Sequence, residues 1–338
     1  MEKLFSSLVT GVLLSGLFSC SFGNRTSAGA ANESREDSVK TLVLGEFSAD
    51  SAYTFIEKQV AFGPRVPGTP EHEACAEYLV SELKRLGADT MYVQKGEVTA
   101  FDGTVLPITN IIASFCPGNL RRILLVAHWD TRPWADNETN AENRAKPVLG
   151  ANDGASGVGV LLEIARNLAA HKPNVGVDIL FVDAEDYGDN SGFNEKKETW
   201  CLGTQYWTKH MTPYSMDNLP VYGVLLDMVG GKDARFHYEH FSKENAAGIT
   251  FKLWSEAKLL KHDDVFVRAM GGAVTDDHLF LTDAGIPTTD VIETVNQETG
   301  SFPPTWHTLN DNMDNISRHT LKAVGETVLN VIYKEKAY

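Results

Sequence analysis

The sequence predicts an α/β sandwich over a mostly parallel sheet. Four short apolar runs, at 111–115, 123–127, 177–182 and 221–228, have strand length. Several are apolar on consecutive residues, which suits central strands covered on both faces. Stretches with helical patterning, at 157–170, 246–260 and 316–333, lie among them, and strands alternating with helices give this architecture. With 338 residues, 43% of them hydrophobic, the chain has enough apolar surface for a large core, which excludes a disordered protein.

The remaining elements follow in order. Residues 47–60 read as a first helix. Gly63-Pro64-Arg65-Val66-Pro67-Gly68-Thr69-Pro70 reads as a rigid loop, with Thr69 as the N-cap of a second helix and Pro70 at its first position. Ala74, Tyr78, Leu79, Leu83 and Leu86 then recur at helical spacing, and Gly87 suits the helix end. In sheets of this kind ligands bind beyond the carboxyl ends of the strands, so the chemistry is expected just after the apolar runs.

Ahead of this domain, set at 46–338, stand two segments of different character. Residues 4–17 are apolar or small and follow Lys3; the run is too short to span a bilayer, which takes about 20 residues. Leu17-Phe18-Ser19-Cys20 resembles a bacterial lipoprotein box. On that resemblance residues 1–20 are a signal peptide, and Cys20 is lipidated as the first residue of the mature protein. Residues 21–45, rich in Ser, Ala, Asn and charge, read as a flexible tether. The protein is then exported, either held by lipid on the periplasmic side of a membrane or free in the periplasm. Net charge −15 and a pI near 5.1 argue against nucleic acid and anionic membrane surfaces as partners, which leaves the Cys20 lipid as the membrane contact. Cys75, Cys116 and Cys201 show no C-x-x-C spacing. A thiolate zinc site is therefore not expected, and all three read as buried small hydrophobes.

Polar residues cluster where the strands should end: His128-Trp129-Asp130, Asn152-Asp153, Glu185-Asp186, Asp227 and Trp306-His307-Thr308. Each has an ordinary explanation alone. His128 could be structural, Asp153 a helix N-cap, Glu185-Asp186 a solvated turn, Asp227 a turn cap, and His307 a surface residue. Together, carboxylates and imidazoles at successive strand ends can converge on one point. Such ligands without thiolate suit a catalytic zinc with a position open to substrate. No serine or cysteine hydrolase signature is present.

This series, with the Gly63-Pro64-Arg65 loop, resembles the zinc aminopeptidase superfamily from about residue 47 to the C-terminus. The resemblance implies a three-layer α/β/α sandwich around a mixed sheet. It also implies one of two activities. Aminopeptidases bind two zincs: one through Asp153, Asp186 and His307, the other through His128, Asp227 and a shared Asp153, with Glu185 as base for water. Animal-type glutaminyl cyclases and their bacterial relatives bind one zinc per chain, through Asp153, Asp186 and His307. Asp186 stands where the animal enzymes carry Glu, so its backbone must approach the metal more closely.

Three features favour the cyclase. Trp306 directly precedes His307. Asp276-Asp277-His278-Leu279-Phe280-Leu281, followed by Gly285-Ile286-Pro287, resembles the cyclase segment bearing a catalytic Asp; Asp277 is assigned that role, with Asp276 the alternative. Trp200, in Trp200-Cys201-Leu202-Gly203, matches a second pocket tryptophan. Core packing is the competing role for both tryptophans. The implied reaction converts N-terminal glutamine of peptides and proteins to pyroglutamate and releases ammonia. Glu185 moves the proton, Asp277 shares it, and Trp306 and Trp200 wall the pocket. N-terminal hydrolysis by a two-zinc aminopeptidase is the alternative. A receptor ectodomain that has lost its ligands is the third reading, disfavoured because every ligand position is filled.

Mass spectrometry of protein from the native membrane fraction should find lipid on Cys20 and no residues before it. Recovery as a soluble protein cleaved elsewhere would refute the anchor.

Overall fold

The computed structural model describes residues 45–191, 196–215 and 217–337. Cys20, the signal peptide and the tether up to residue 44 lie outside the described residues. The domain opens with α1 (Ala49–Val60), capped by the Ser48 hydroxyl, which accepts the Ser51 N–H. Next comes α2 (Pro70–Arg85), where Thr69 accepts the His72 N–H and Pro70 holds the first position. The chain continues through β1 (Thr90–Thr99), β2 (Val105–Phe115), β3 (Arg122–His128), α3 (Ala155–Ala170) and β4 (Gly176–Val182). It then runs through α4 (Leu202–His210), β5 (Gly223–Leu226), β6 (Phe236–Tyr238), α5 (His240–Asn245) and α6 (Ala247–Leu259). The last elements are β7 (Phe266–Met270), α7 (Asp277–Asp283), β8 (Thr288–Val291) and α8 (Arg318–Lys334).

Six strands form one sheet in the order β1-β2-β4-β3-β5-β8. The β4, β3, β5 and β8 neighbours are parallel, while β2 runs antiparallel to both β1 and β4. The sheet is therefore mixed and mostly parallel, as expected. Its two faces feed separate cores, because alternate strand residues point opposite ways. Ile123, Leu125, Ala127, Ile179 and Phe181 join side chains of α1, α3 and α8. Leu124, Val126, Leu180 and Val182 meet Trp207 of α4 and Leu281 of α7. This is the three-layer sandwich. Among the described residues no helix is long and apolar enough to cross a membrane.

Several elements carried no sequence signal. β1 is a largely exposed edge strand with few apolar residues, and the fully buried β8 reads Thr-Thr-Asp-Val. The apolar run at 221–228 pairs only over Gly223–Leu226, since Met228 already turns with φ of 50°. Cys75 and Cys201 are buried as expected, but Cys116 is only half-buried, at the turn after edge-side β2. All three thiols are free.

The parallel register sets His128 beside Val182 and Leu226 beside Val291. The residues that follow each strand therefore emerge at one edge of the sheet. Helix α3 lies close against that sheet, with no room for a side chain at Gly157: a Cβ there would collide with the Leu226 carbonyl oxygen and sit 3.0 Å from the Ala127 Cβ. Gly157→Ala should lower unfolding free energy by about 1–3 kcal/mol, although alanine is the better helix former. A denaturant titration with an unchanged midpoint would show that α3 packs less tightly.

Candidate active site

Asp153, Asp186 and His307 come together, as the sequence pattern predicts. The His307 Nε2 lies 3.1 Å from Asp186 Oδ1 and 3.9 Å from Asp153 Oδ2. A second trio adjoins it: His128 Nε2 is 3.0 Å from Asp153 Oδ1 and 3.2 Å from Asp227 Oδ1. The ligand atoms of each trio lie within 4.8 Å of one another, and all five residues are buried. Asp153 offers one oxygen to each trio. It follows Gly150, whose left-handed φ of 58° turns the chain there, and precedes Gly154 at the start of α3.

The backbone beneath these side chains is fixed by buried charges. Asp130 accepts the N–H groups of Glu185 and Asp186, at 3.1 and 3.2 Å. Asp311 accepts those of Asn152 and Asp153, at 2.7 and 3.0 Å. Arg65 donates to the carbonyls of Trp129, Leu149 and Gly150 and is fully buried. On this anchored backbone the Asp186 carboxylate lies 3.1 Å from His307 Nε2. Arg132 donates to the carbonyls of Asp186 and Gly188, at 3.0 and 3.2 Å, and to the Asp136 carboxylate. Asp136 in turn lies 3.1 Å from His307 Nδ1, outside hydrogen-bond geometry, so its charge faces that nitrogen while Nε2 faces Asp153 and Asp186. Burial alone would raise the Asp136 carboxyl, but His307 and Arg132 hold it well below the usual carboxylate range.

A cavity of about 310 Å³ opens above this centre, lined by Asp153, Glu185, Asp186, Asp227 and Asp276 and, among the described residues, by no lysine or arginine. Both expected tryptophans line it too. The Trp306 ring stacks on His307 at 3.8 Å, and Trp200 lies near-parallel to it at 6.2 Å. Burial pushes the Glu185 carboxyl well above its usual range; His128 opposes this, while Asp276, Asp186 and Asp277 reinforce it. Four residues around the centre have left-handed backbone, Ala184, Cys201, Met228 and His307, with φ of 48–56°. Such strain persists only where packing enforces it.

Of the two candidate aspartates, Asp276 lines the cavity and its carboxylate lies within 4.8 Å of both Glu185 and Cys201. Asp277, the first residue of α7, is buried and is not among the lining residues. Burial pushes both carboxyls up to about 7; the neighbouring acid Asp227 adds to this at Asp276, and Asp276 adds to it at Asp277. The sequence pattern contained Arg65 and Asp130 within its motifs without a role for either. It offered no signal for Arg132, Asp136 or Asp311, which meet the site only through space.

The fold and the paired carboxylate–histidine trios define the class: the chain belongs to peptidase family M28, which it matches over residues 110–332. Within that class it is similar to a solved Bacteroides thetaiotaomicron glutaminyl cyclase bound to N-acetylhistamine. The two share 50% identity and a TM-score of 0.83 over 87% of this chain and 100% of that one. It is as similar to a structure described as a leucine aminopeptidase precursor from Bacteroides thetaiotaomicron VPI-5482, at 50% identity and a TM-score of 0.82 over 87% and 99% of the chains. Glutaminyl-peptide cyclotransferase of Bos taurus is 24% identical over 294 residues, 76% of this chain and 74% of the relative.

Asp136→Asn should weaken zinc affinity about 10–100-fold, the usual effect of removing a carboxylate behind a histidine ligand. Chelator competition measures it, with circular dichroism to check the fold. Unchanged affinity would show that Asp136 does not orient His307.

Proposed function

We propose that the protein is a single-zinc glutaminyl cyclase, which converts N-terminal glutamine of peptides and proteins to pyroglutamate and releases ammonia. One observation carries this reading: a small acidic cavity in which Trp306 and Trp200 flank His307 beside a buried Glu185. Similarity to bacterial glutaminyl cyclases supports it.

Asp153, Asp186 and His307 fit zinc: two carboxylates and an imidazole converge without a thiolate, and the other ring nitrogen faces Asp136. When bound there, zinc supplies Lewis-acid polarisation of the glutamine side-chain carbonyl. The cavity's carboxylates attract the substrate's N-terminal ammonium, which gives up one proton to solvent to become the nucleophilic amine, and the lack of a lining lysine or arginine among the described residues disfavours an acidic first residue. Trp306 and Trp200 wall the side chain and exclude water. Glu185 takes a proton from the α-amine as its nitrogen bonds to the side-chain carbonyl carbon. Glu185 then delivers the proton to the amide nitrogen, the old C–N bond breaks, and ammonia leaves. A carboxyl pushed up by burial is suited to both halves of this transfer. Asp276, within 4.8 Å of Glu185, shares that proton, the role the family resemblance assigns to Asp277 with Asp276 as the alternative.

The second trio supports an alternative. His128, Asp227 and the shared Asp153 could hold a second zinc for N-terminal hydrolysis. In the cyclase His128 and Asp227 are instead a metal-free hydrogen-bonded pair, 3.2 Å apart.

Purified protein should carry one tightly bound zinc per chain and release ammonia from a glutamine peptide. His128→Ala should keep that zinc and His307→Ala should lose it. Glu185→Gln should keep zinc and fold but lose roughly 10² or more in turnover. Two zincs, rapid cleavage of a leucine anilide and no ammonia would favour the aminopeptidase.

A further inference from the structure

We infer that Cys201 is a positioning residue for Glu185, its thiol holding the carboxyl in the orientation that faces the cavity. The Cys201 Sγ donates to Glu185 Oε1 at 3.3 Å. Cys201 is completely buried and does not line the cavity, so it acts through Glu185 and does not touch substrate.

The backbone brings the two residues side by side. The first N–H groups around α4 are bonded in sequence to the chain that carries Glu185. Cys201 donates to the Glu185 carbonyl at 3.0 Å, Leu202 to that of Ala184 at 3.0 Å, and Gly203 to that of Asp183 at 2.9 Å. A side chain at Gly203 would collide with the Asp183 carbonyl, so the two segments meet at the closest approach a backbone allows. Cys201 and Ala184, one on each side of this junction, both adopt left-handed φ, 56° and 48°. The fold thus holds two non-glycine residues in a costly conformation to bring the thiol over the carboxyl.

Thiol chemistry suits the position. Burial, then Asp277, Glu185 and Asp276, push the Cys201 thiol well above its usual range. It therefore stays protonated and serves as a weak donor, not as a nucleophile or a metal thiolate. It fills apolar space without demanding further partners of its own. Asp276 completes a group of three whose polar atoms lie within 4.8 Å, so the Cys201 thiol and the Asp276 carboxyl both stand beside the Glu185 carboxyl.

This inference rests on the assignment of Glu185 as the proton-transfer group. The test compares wild type, Cys201→Ala, Cys201→Ser and Glu185→Gln for kcat and KM in ammonia release, for zinc content and for melting temperature. Cys201→Ala should lower kcat roughly tenfold or more, with KM within about twofold and zinc unchanged, the scale on which a misplaced catalytic group costs rate. Cys201→Ser keeps a donor and should restore most of kcat, although a buried hydroxyl is the poorer packing choice. Wild-type kcat in Cys201→Ala would overturn the inference. So would equal losses in the two variants that follow melting temperature, which mark a packing role only. Full activity in Glu185→Gln would overturn it together with the assignment beneath it. If wild type releases no ammonia but cleaves a leucine anilide, the cyclase reading fails by itself. The same four proteins then test Cys201 in the hydrolysis, where Glu185 is the base for water.

Discussion

The site is governed by the crowding of carboxylates at one edge of a buried sheet. Asp153, Glu185, Asp186, Asp227 and Asp276 share a single cavity, and each is at most 8% exposed. Buried like charges raise one another's pKa, and an uncompensated buried charge costs several kcal/mol. The surroundings answer this in three ways. His128 and His307 sit between carboxylates as potential cations, both raised by those acids against the opposing effect of burial. Some acids are pushed toward neutrality, Asp227 to about 6 and Asp276 to about 7, chiefly by burial. A divalent cation at either trio would relieve the remainder.

The same constraint explains the second layer of charges. A crowded acid stays in place only if its backbone is held. Asp130 and Asp311 therefore use their carboxylates on main-chain N–H groups, fixing Glu185-Asp186 and Asn152-Asp153. Arg65 and Arg132 bind main-chain carbonyls of neighbouring segments. These four residues touch few of the reacting groups directly, yet together they decide where those groups stand. The left-handed residues beside Glu185, Asp227 and at His307 belong to the same arrangement, since strain concentrates where side chains must be aimed against backbone preference.

Asp153 links the two chemistries open to this scaffold. Its two oxygens serve two trios, so the cluster suits either one metal with a spectator pair or two metals with a shared ligand. What separates cyclisation from hydrolysis is the nucleophile that reaches the carbonyl. In the proposed cyclase, the tryptophans beside His307 would limit access for water and leave the reaction to a nucleophile carried by the substrate itself.

The sequence by itself determined the parallel core and the capped helix after Thr69, while the set Asp153, Asp186 and His307 came from the family resemblance that its motifs carry. Those features are local: apolar runs of strand length, a capping residue before Pro70, and polar residues placed just where such runs end. Only the tertiary structure decided which of Asp276 and Asp277 faces Glu185, because successive residues at a helix start point about 100° apart and the sequence does not fix the rotation. Only it brought Asp136, Arg132 and Asp311 to the site and set Cys201 against Glu185. It also buried the polar β8 and left β1 exposed, since a strand's burial depends on its neighbours and covering helices. Identity and spacing along a chain fix short-range preference; contacts between distant segments exist only once the sheet has set their register.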